Sequence, residues 1–197
     1  MIPLLPLLLL SACAVQPTTL ETYLSKRSLS LPEKGSFQTC RHYGCQIIDT
    51  ITPTKKEWRS IEKPFKKRIK SAQAERQAIA QSIATFETVT GNYNGTHADQ
   101  WGTFQKTGHD QQDCVDESIN TSIYLTILAN RNRLKFHTVN IPQSRVPFMK
   151  WPHQTATITQ IDTNEKFAVD SWFHDNGHAP EIIPFEEWKK GWKPKRD

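Results

Sequence analysis

A cysteine, a histidine and an aspartate follow one another in the second half of the chain, and each stands where it could serve a nucleophilic reaction. Cys114 opens a stretch in which Ile119, Ile123, Ile127 and Leu128 recur at the three-to-four spacing of a helix with one buried face. In the first turn of such a helix, unpaired backbone N–H groups and the positive end of the dipole favour a thiolate. The thiolate is the reactive form in nucleophilic cysteine chemistry.

The partners that a nucleophilic cysteine requires lie on two predicted strands. Residues 151–161, WPHQTATITQI, alternate in character and are rich in β-branched side chains, and they include His153. A second strand, KFAVDSWF, covers residues 166–173 and carries Asp170, with a polar turn before it. We expect this hairpin to bring the two side chains together, with the histidine as the base and the aspartate as its orienter.

The composition fits one globular domain with an N-terminal extension. The 197 residues are 37% hydrophobic and 10% aromatic, which argues against wholesale disorder. Much of the positive charge lies in residues 55–70 and 189–196. Such runs indicate solvated surfaces, with contact to anionic lipid or glycan as the alternative, and we expect no nucleic-acid partner.

The first 13 residues indicate a targeting segment. They are apolar over about the length of a signal core and too short to span a bilayer as a mature helix. Leu10-Ser11-Ala12-Cys13 resembles the bacterial lipobox, which implies that Cys13 is lipidated and becomes the mature N-terminus. The alternative is an ordinary secretory signal with a chance cysteine. Residues 14–36, rich in proline, serine and threonine, predict a tether.

Either form of the targeting segment places the domain outside the cytoplasm. Ala14 follows the lipobox cysteine, where an aspartate would favour retention in the inner membrane. We therefore expect a lipid-anchored protein of the bacterial cell envelope, on the outer membrane and facing the periplasm.

Cys40 and Cys45 flank a short loop that contains a glycine. In an oxidising compartment this spacing favours a local disulfide, and a metal site that includes His42 is the alternative. Once Cys13 is accounted for, either assignment leaves Cys114 without a cysteine partner. An unpaired thiol in an exported protein indicates a reactive one.

The middle of the chain predicts two helices and a long loop. Residues 55–86 have a helical pattern, with Pro64 in the first turn of the second helix and Gly91 at its end. Residues 92–111 form a polar loop that leads into the Cys114 helix, and its length suggests a functional role. The end of this loop and the residues after it carry candidate metal ligands, although their spacing is not diagnostic: His109, Asp110, Asp113 and Asp116.

These motifs together resemble a known superfamily, the transglutaminase-like cysteine peptidases, and most of all its exported bacterial proteinases. The separations of 39 residues between Cys114 and His153 and of 17 residues between His153 and Asp170 are similar to those of its compact core. The resemblance is carried by Trp101-Gly102-Thr103, Gly108, Asp113-Cys114-Val115-Asp116, His153 and Asp170.

The resemblance implies an α+β fold with a papain-like core, in which the nucleophile helix packs on a small antiparallel sheet. The domain would span residues 37–197 and transfer an acyl group from a peptide or amide bond. Asp170-Ser171-Trp172 also resembles papain-like enzymes, where an aromatic residue shields the bond between histidine and its orienter from water. Adhesin-cutting members depend on calcium and carry an acidic residue after the nucleophile, whereas this chain has Val115. We therefore expect no cofactor, with Asp113 and Asp116 as weak calcium candidates.

The expected reaction also requires two donors to the oxyanion. The backbone N–H of Cys114 should supply one, and Trp101 and Gln105 are candidates for the second, ahead of Gln112, which abuts the helix. The sequence thus predicts a membrane-anchored cysteine hydrolase acting on a protein or peptide in the envelope. The alternatives are an enzyme acting on peptidoglycan peptides or lipoprotein acyl groups, and a catalytically silent binding or scaffolding module on the same fold.

Overall fold

A computed structural model describes residues 18–103, 108–146 and 152–195. These residues form five α-helices and six β-strands, with short 3₁₀ turns at Lys63–Phe65 and Thr96–Ala98. In chain order the elements are α1 (Leu20–Ser25), β1 (Phe37–Arg41), β2 (Ile47–Ile51), α2 (Lys55–Ile61), α3 (Ala72–Asn94), α4 (Cys114–Asn130), β3 (His137–Arg145), β4 (His153–Gln160), β5 (Lys166–Asp170), β6 (Glu181–Pro184) and α5 (Phe185–Lys189).

The strands form two antiparallel sheets. Strands β1 and β2 make a hairpin, and the other four form a sheet in the order β3-β4-β5-β6. A register shift between Asn140 and Gln143 in β3 places Arg145 opposite His153 on β4. The predicted α+β class is confirmed. The strands around His153 and Asp170 were predicted correctly in position, whereas β6 and the β1–β2 hairpin were not predicted.

Helix α4 lies at the centre of the fold and packs against β1, β3 and β4. Its apolar stripe is buried as the spacing predicts, with Ile119, Ile123 and Leu128 at 0% exposure. The helix begins at Cys114 because Asp113 and Asp116 form a capping box across its first turn. The expected start of the nucleophile helix is therefore confirmed.

Helix α3 differs from its predicted bounds at both ends. Pro64 belongs to a separate 3₁₀ turn, and α3 begins only after Ser71, whose hydroxyl accepts the N–H of Ala74. The helix also continues through Gly91 and ends at Gly95, which has the left-handed φ of +87°. Gly91 does not end the helix but allows the backbone of His97 to pack closely against it. A Cβ at residue 91 would lie 2.7 Å from the His97 backbone nitrogen.

The tether predicted for residues 14–36 is wrong for its central part. Thr19 caps α1, and Leu24 and Leu29 are 0% and 3% exposed within the main core. Two buried leucines outweigh the polar composition that suggested a solvated segment. The targeting segment and Cys13 lie outside the described residues, so lipidation remains a prediction. Across the described ranges, no helix is long and apolar enough to cross a membrane.

The predicted disulfide between Cys40 and Cys45 is confirmed, with an S–S distance of 2.00 Å. It closes the loop between β1 and β2. Because both sulfurs are used in this bond, the alternative metal site with His42 is wrong. The His42 ring instead approaches the carbonyl of Gly108, with Nδ1 3.0 Å from that oxygen. Among the described cysteines, only Cys114 is free.

Candidate active site

The sheet contributes a histidine and a carboxylate that lie in direct contact. His153 is the first residue of β4 and Asp170 is the last residue of β5, so antiparallel pairing of these strands brings them together. His153 Nε2 lies 2.7 Å from Asp170 Oδ2, and both side chains are buried. The predicted proximity of these two residues is confirmed. A hydrogen bond to an ionised group in a buried setting is among the stronger kinds.

A tryptophan that sequence reasoning did not assign to the site fixes the carboxylate. Trp188 on α5 is fully buried, and its indole Nε1–H donates to the same Asp170 Oδ2 at 2.6 Å. The guanidinium of Arg145 packs on the indole, with its carbon 4.5 Å from the ring centroid. No local sequence motif links α5 to β5, so this contact was not predicted.

The aromatic residue expected to shield the pair lies against the imidazole ring. Trp172 has its ring centroid 4.7 Å from that of His153, and Phe173 lies 5.3 Å away. Trp188 is a third neighbour at 5.7 Å. These three rings surround the imidazole with apolar surface and limit the access of water to its bond with Asp170.

The second ring nitrogen of His153 has no partner among the described residues. His153 Nδ1 is buried and makes no hydrogen bond, and the same is true of Asp170 Oδ1. An ionised carboxylate only accepts, so the bond to Asp170 assigns the proton of a neutral imidazole to Nε2. Nδ1 then carries a lone pair. A histidine in this form is suited to remove a proton from a neighbouring group.

The helix contributes the free thiol. Cys114 is the first residue of α4, and the preceding Asp113 accepts from the N–H groups of Val115 and Asp116, each at 2.9 Å. One turn further along α4, Ser118 accepts from the side-chain amide of Gln154, the residue after His153, at 2.6 Å. The first turns of α4 therefore pack against the start of β4.

Burial of the thiol opposes the thiolate that the helix start was predicted to favour. Burial raises the pKa of Cys114 to about 11, and the carboxylates of Asp113 and Asp170 act in the same direction. The N–H groups of Gln154 and of Cys114 itself lower the pKa, but less than burial raises it. At the helix start, Asp113 already occupies two of the N–H groups that would have favoured a thiolate.

The two weak calcium candidates have structural roles in the described part of the chain. Asp113 caps α4, whereas Asp116 accepts from the backbone N–H of Asp113 at 3.2 Å and from that of Cys45 at 2.6 Å. Burial raises the pKa of Asp116 to about 7. Within the described ranges, the side chains close enough to share a metal are Cys40, Cys45 and Asp116, and the two cysteines form the disulfide. The geometry thus gives these aspartates a capping role.

The oxyanion candidates differ in where the structure places them. Gln112 is buried, and its side-chain amide donates to the Cys40 carbonyl at 2.9 Å, so it is not directed at the thiol. Trp101 is 53% exposed and lines an open groove of about 280 Å³ together with Phe173, which contacts His153. Gln105 lies outside the described residues. Of the described candidates, Gln112 is used inside the fold, whereas Trp101 remains a candidate for the second donor.

Buried carboxyl groups behind the pair were also missed by the sequence interpretation. Ser171 follows Asp170 and donates to Glu117 Oε2 at 2.6 Å, while Asp99 Oδ1 accepts from the Gln112 N–H at 2.8 Å. Burial raises the pKa of Glu117 to about 7 and that of Asp99 to about 9. Because acidic residues are rarely buried, the residue type alone did not indicate that these two carboxyl groups would be buried. They connect α4 to the loops around the site.

Comparisons of the chain with protein-family models, curated proteins and solved structures give no match.

Proposed function

We propose that this protein is a cysteine hydrolase that cleaves a peptide or amide bond in the bacterial cell envelope through Cys114, His153 and Asp170. One observation carries the proposal: the buried His153–Asp170 pair leaves Nδ1 without a partner among the described residues, and the helix that begins with the free thiol of Cys114 packs against the strand that begins with His153. A nucleophile, a base and an orienter in this order are the parts of a catalytic triad.

The arrangement also supports a papain-like core and a place in the transglutaminase-like superfamily. A helix that carries the nucleophile at its first residue packs on an antiparallel sheet that carries the histidine and the aspartate. The lipobox at Cys13 supports a lipid anchor that holds the domain at the outer membrane, facing the periplasm. The substrate class that we propose is a protein or peptide of the envelope.

The reaction begins with a neutral thiol. Because burial holds Cys114 in its protonated form, the thiol proton moves to His153 Nδ1 as the sulfur attacks the carbonyl carbon of the substrate. The imidazolium then carries protons on both nitrogens, and the bond to Asp170 stabilises its charge. Trp188 holds the carboxylate in position while this charge forms.

The remaining steps use the same groups. The tetrahedral intermediate collapses when the carbon–nitrogen bond breaks, and His153 gives its Nδ1 proton to the leaving amine. The product stays bound to Cys114 as a thioester. A water molecule then gives a proton to His153 and attacks the thioester carbonyl, which releases the acid and restores the thiol.

A silent binding or scaffolding module on the same fold is the second candidate. The raised pKa of Cys114 favours it, because a cysteine protease with a resting ion pair would hold a thiolate at neutral pH. Under this alternative, Cys114 would react no faster than an ordinary buried thiol. The unpaired Nδ1 of His153 would then have no chemical role.

The two candidates are separated by turnover. The full chain should be incubated with 4-nitrophenyl acetate and with a mixture of peptidyl 4-nitroanilides, and compared with Cys114→Ala and His153→Ala. We expect ester and anilide hydrolysis that both substitutions abolish. The ester tests for an acylated cysteine that turns over, whereas the anilides test for cleavage of an amide bond.

Each outcome of these assays favours one of the two candidate functions. Ester turnover without cleavage of any anilide would restrict the protein to ester-type acyl transfer and contradict the amide-hydrolase proposal. If the full chain and Cys114→Ala gave equal rates with both substrates, the scaffold would be the better description. The Cys40–Cys45 disulfide should be intact in every sample, verified by mass spectrometry, so that Cys114 is the thiol tested in the folded domain.

A further inference from the structure

The positive charge of the chain is concentrated at one end of helix α4. Residues 55–70 and 131–135 contain eleven basic and two acidic residues, a net charge of +9. Because the whole chain carries +5, all its other residues together carry −4. A solvated surface usually mixes charges of both signs, so this separation indicates a surface that attracts anions.

The two segments form one continuous surface, and we call residues 55–70 and 131–135 the basic surface. Arg131 and Arg133 both pair with Glu62, which joins the end of α4 to the segment after α2. Two open grooves of about 530 and 300 Å³ lie next to each other and share Lys66 and Lys67. The basic side chains that line these grooves are Lys63, Lys66, Lys67, Arg68, Arg133 and Lys135.

Most cations of the grooves are exposed and lack a carboxylate partner. Both acidic residues of the basic surface are already engaged, since Glu57 belongs to the capping box of α2 and Glu62 pairs with the two arginines. The positive potential is therefore not neutralised from within the fold. The exposed side chains that form no ion pair with any residue in the described ranges are Lys63, Lys66, Lys67, Arg68 and Lys135.

The chemistry of the basic surface suits phospholipid headgroups better than a protein or a single-stranded nucleic acid. A protein interface has an apolar and aromatic centre, and proteins bind single strands by stacking aromatic side chains on the bases. Headgroup phosphates of anionic lipids require only cations near the membrane surface. In the described part of the chain, the large apolar side chains that are exposed all lie outside the basic surface: Leu31, Tyr93, Trp101, Val146 and Ile161.

We propose that the basic surface docks the folded domain on a membrane that contains anionic phospholipids. The surface continues from the C-terminal end of α4, where Arg131 is the cap, whereas Cys114 is the first residue of that helix. The 17 residues of α4 span about 25 Å. Docking through the basic surface therefore turns the end of α4 that carries the thiol away from the bilayer. The contact requires neither hydrolase chemistry nor a lipid on Cys13.

Sedimentation with vesicles tests the proposal. The full chain carrying Cys13→Ala, which cannot be lipidated, is mixed with vesicles of phosphatidylcholine alone or of phosphatidylcholine with an equal amount of phosphatidylglycerol. We expect stronger binding to the vesicles with phosphatidylglycerol. This additional binding should disappear between about 0.1 and 1 M salt, where the screening length falls from about 10 to about 3 Å. Adding Cys114→Ala should not change it.

Removal of three exposed cations tests the basic surface itself. In the same full chain, Lys66→Gln, Lys67→Gln and Arg68→Gln together should weaken the binding that depends on phosphatidylglycerol by roughly 100-fold, since each basic residue at an anionic membrane contributes about fivefold. These side chains are exposed, so thermal unfolding should match that of the unsubstituted protein. If the triple variant does not fold, Lys66→Gln alone should weaken binding about fivefold.

The matched control removes the same charge from the other basic run of the chain. Lys189→Gln, Lys190→Gln and Lys193→Gln lie at and after the end of α5, whose Trp188 contacts Asp170 of the proposed active site. This control should bind within about twofold of the unsubstituted protein, because charges farther from the bilayer than the screening length contribute little.

Three results would overturn the proposal. Equal binding to both kinds of vesicle would show that headgroup charge is not recognised, and equal losses in the two triple variants would show that only net charge matters. Binding to heparin or duplex DNA, without binding to phosphatidylglycerol vesicles, would identify a different polyanion as the partner. The proposed hydrolase activity is judged separately, because an inert Cys114 would leave vesicle binding unchanged.

Discussion

Two buried histidine–carboxylate pairs lie on neighbouring strands of the same sheet. His153 on β4 contacts Asp170 at 2.7 Å, and His137 on β3 contacts Glu75 of α3 at 2.9 Å. In both pairs the side chains are almost fully removed from solvent. By composition, distance and burial, the two pairs are equivalent.

They differ in what else their polar atoms contact. His137 Nε2 lies 3.2 Å from a nitrogen of Arg76, and Glu75 also accepts from the backbone N–H groups of Lys135 and Phe136. His153 Nδ1 has no such partner in the described ranges. The His137 pair therefore joins α3 to the start of β3, whereas the His153 pair retains a nitrogen that can act on another group. The ring nitrogen without a hydrogen-bond partner, more than the contact with a carboxylate, is what would suit a histidine to catalysis.

Substitution of each histidine provides the largest contrast. His153→Gln should lower the acylation of Cys114 by 4-nitrophenyl acetate by about 10³-fold, because it removes the base. His137→Gln should leave this rate within about twofold. Both substitutions should lower the free energy of unfolding, by roughly 3 kcal/mol for His137→Gln in urea, because each leaves a buried carboxylate without its histidine partner. Equal activity losses in the two variants would remove the distinction between the pairs.

Substitution of the two carboxylates should show the same difference between the pairs, with smaller effects. Asp170→Asn should reduce the same acylation rate by about 10²-fold, since an amide neither selects the Nε2 proton nor stabilises the imidazolium. Glu75→Gln should leave the rate within about twofold while lowering the urea midpoint. An Asp170→Asn variant with full activity would mean that His153 needs no orienter.

The indole bond to Asp170 should contribute less than the triad members. Trp188→Phe removes one of two hydrogen bonds to Oδ2 and should lower the acylation rate by about tenfold, with a cost of about 1–3 kcal/mol in stability. The control is Trp58→Phe on α2, where the indole stacks under Arg131 away from the triad. Activity should be unchanged in the control. Loss of activity in both variants to the same extent would point to general destabilisation.

The pH dependence of stability is a further test, through Glu117, which accepts a hydrogen bond from Ser171 next to Asp170. Its pKa is raised by burial to about 7, so between about pH 4.5 and 7 the unfolded chain binds fewer protons than the folded one. Stability should therefore fall as the pH rises through this window. Glu117→Gln removes the ionisation and should be more stable than the unmodified protein at pH 9 by about 1 kcal/mol.

The measurement for Glu117 is urea unfolding at pH 5, 7 and 9. Both proteins should be similar at pH 5, where the carboxyl is protonated in the fold. The asparagine variant of an exposed acid, Asp162→Asn, serves as a control and should not alter the pH profile. If the stability of Glu117→Gln fell with pH as steeply as that of the unmodified protein, another buried carboxyl such as Asp99 would be responsible.

Features that depend on local spacing could be predicted from the sequence. They are the buried stripe and the start of α4, the strands that carry His153 and Asp170, and the Cys40–Cys45 bridge. Helical and strand periodicity reflect which face of one element is apolar, and a loop of five residues brings its own ends together.

Which groups are desolvated, and which side chains meet across distant segments, depended on how the elements pack together. Trp188 reaches Asp170 and Glu75 reaches His137 only because separate elements pack together. The pKa of Cys114 depends on the same packing, since burial raises it against the effect of the helix start. Desolvation depends on every neighbour of a group, and residues far apart in the chain supply most of those neighbours.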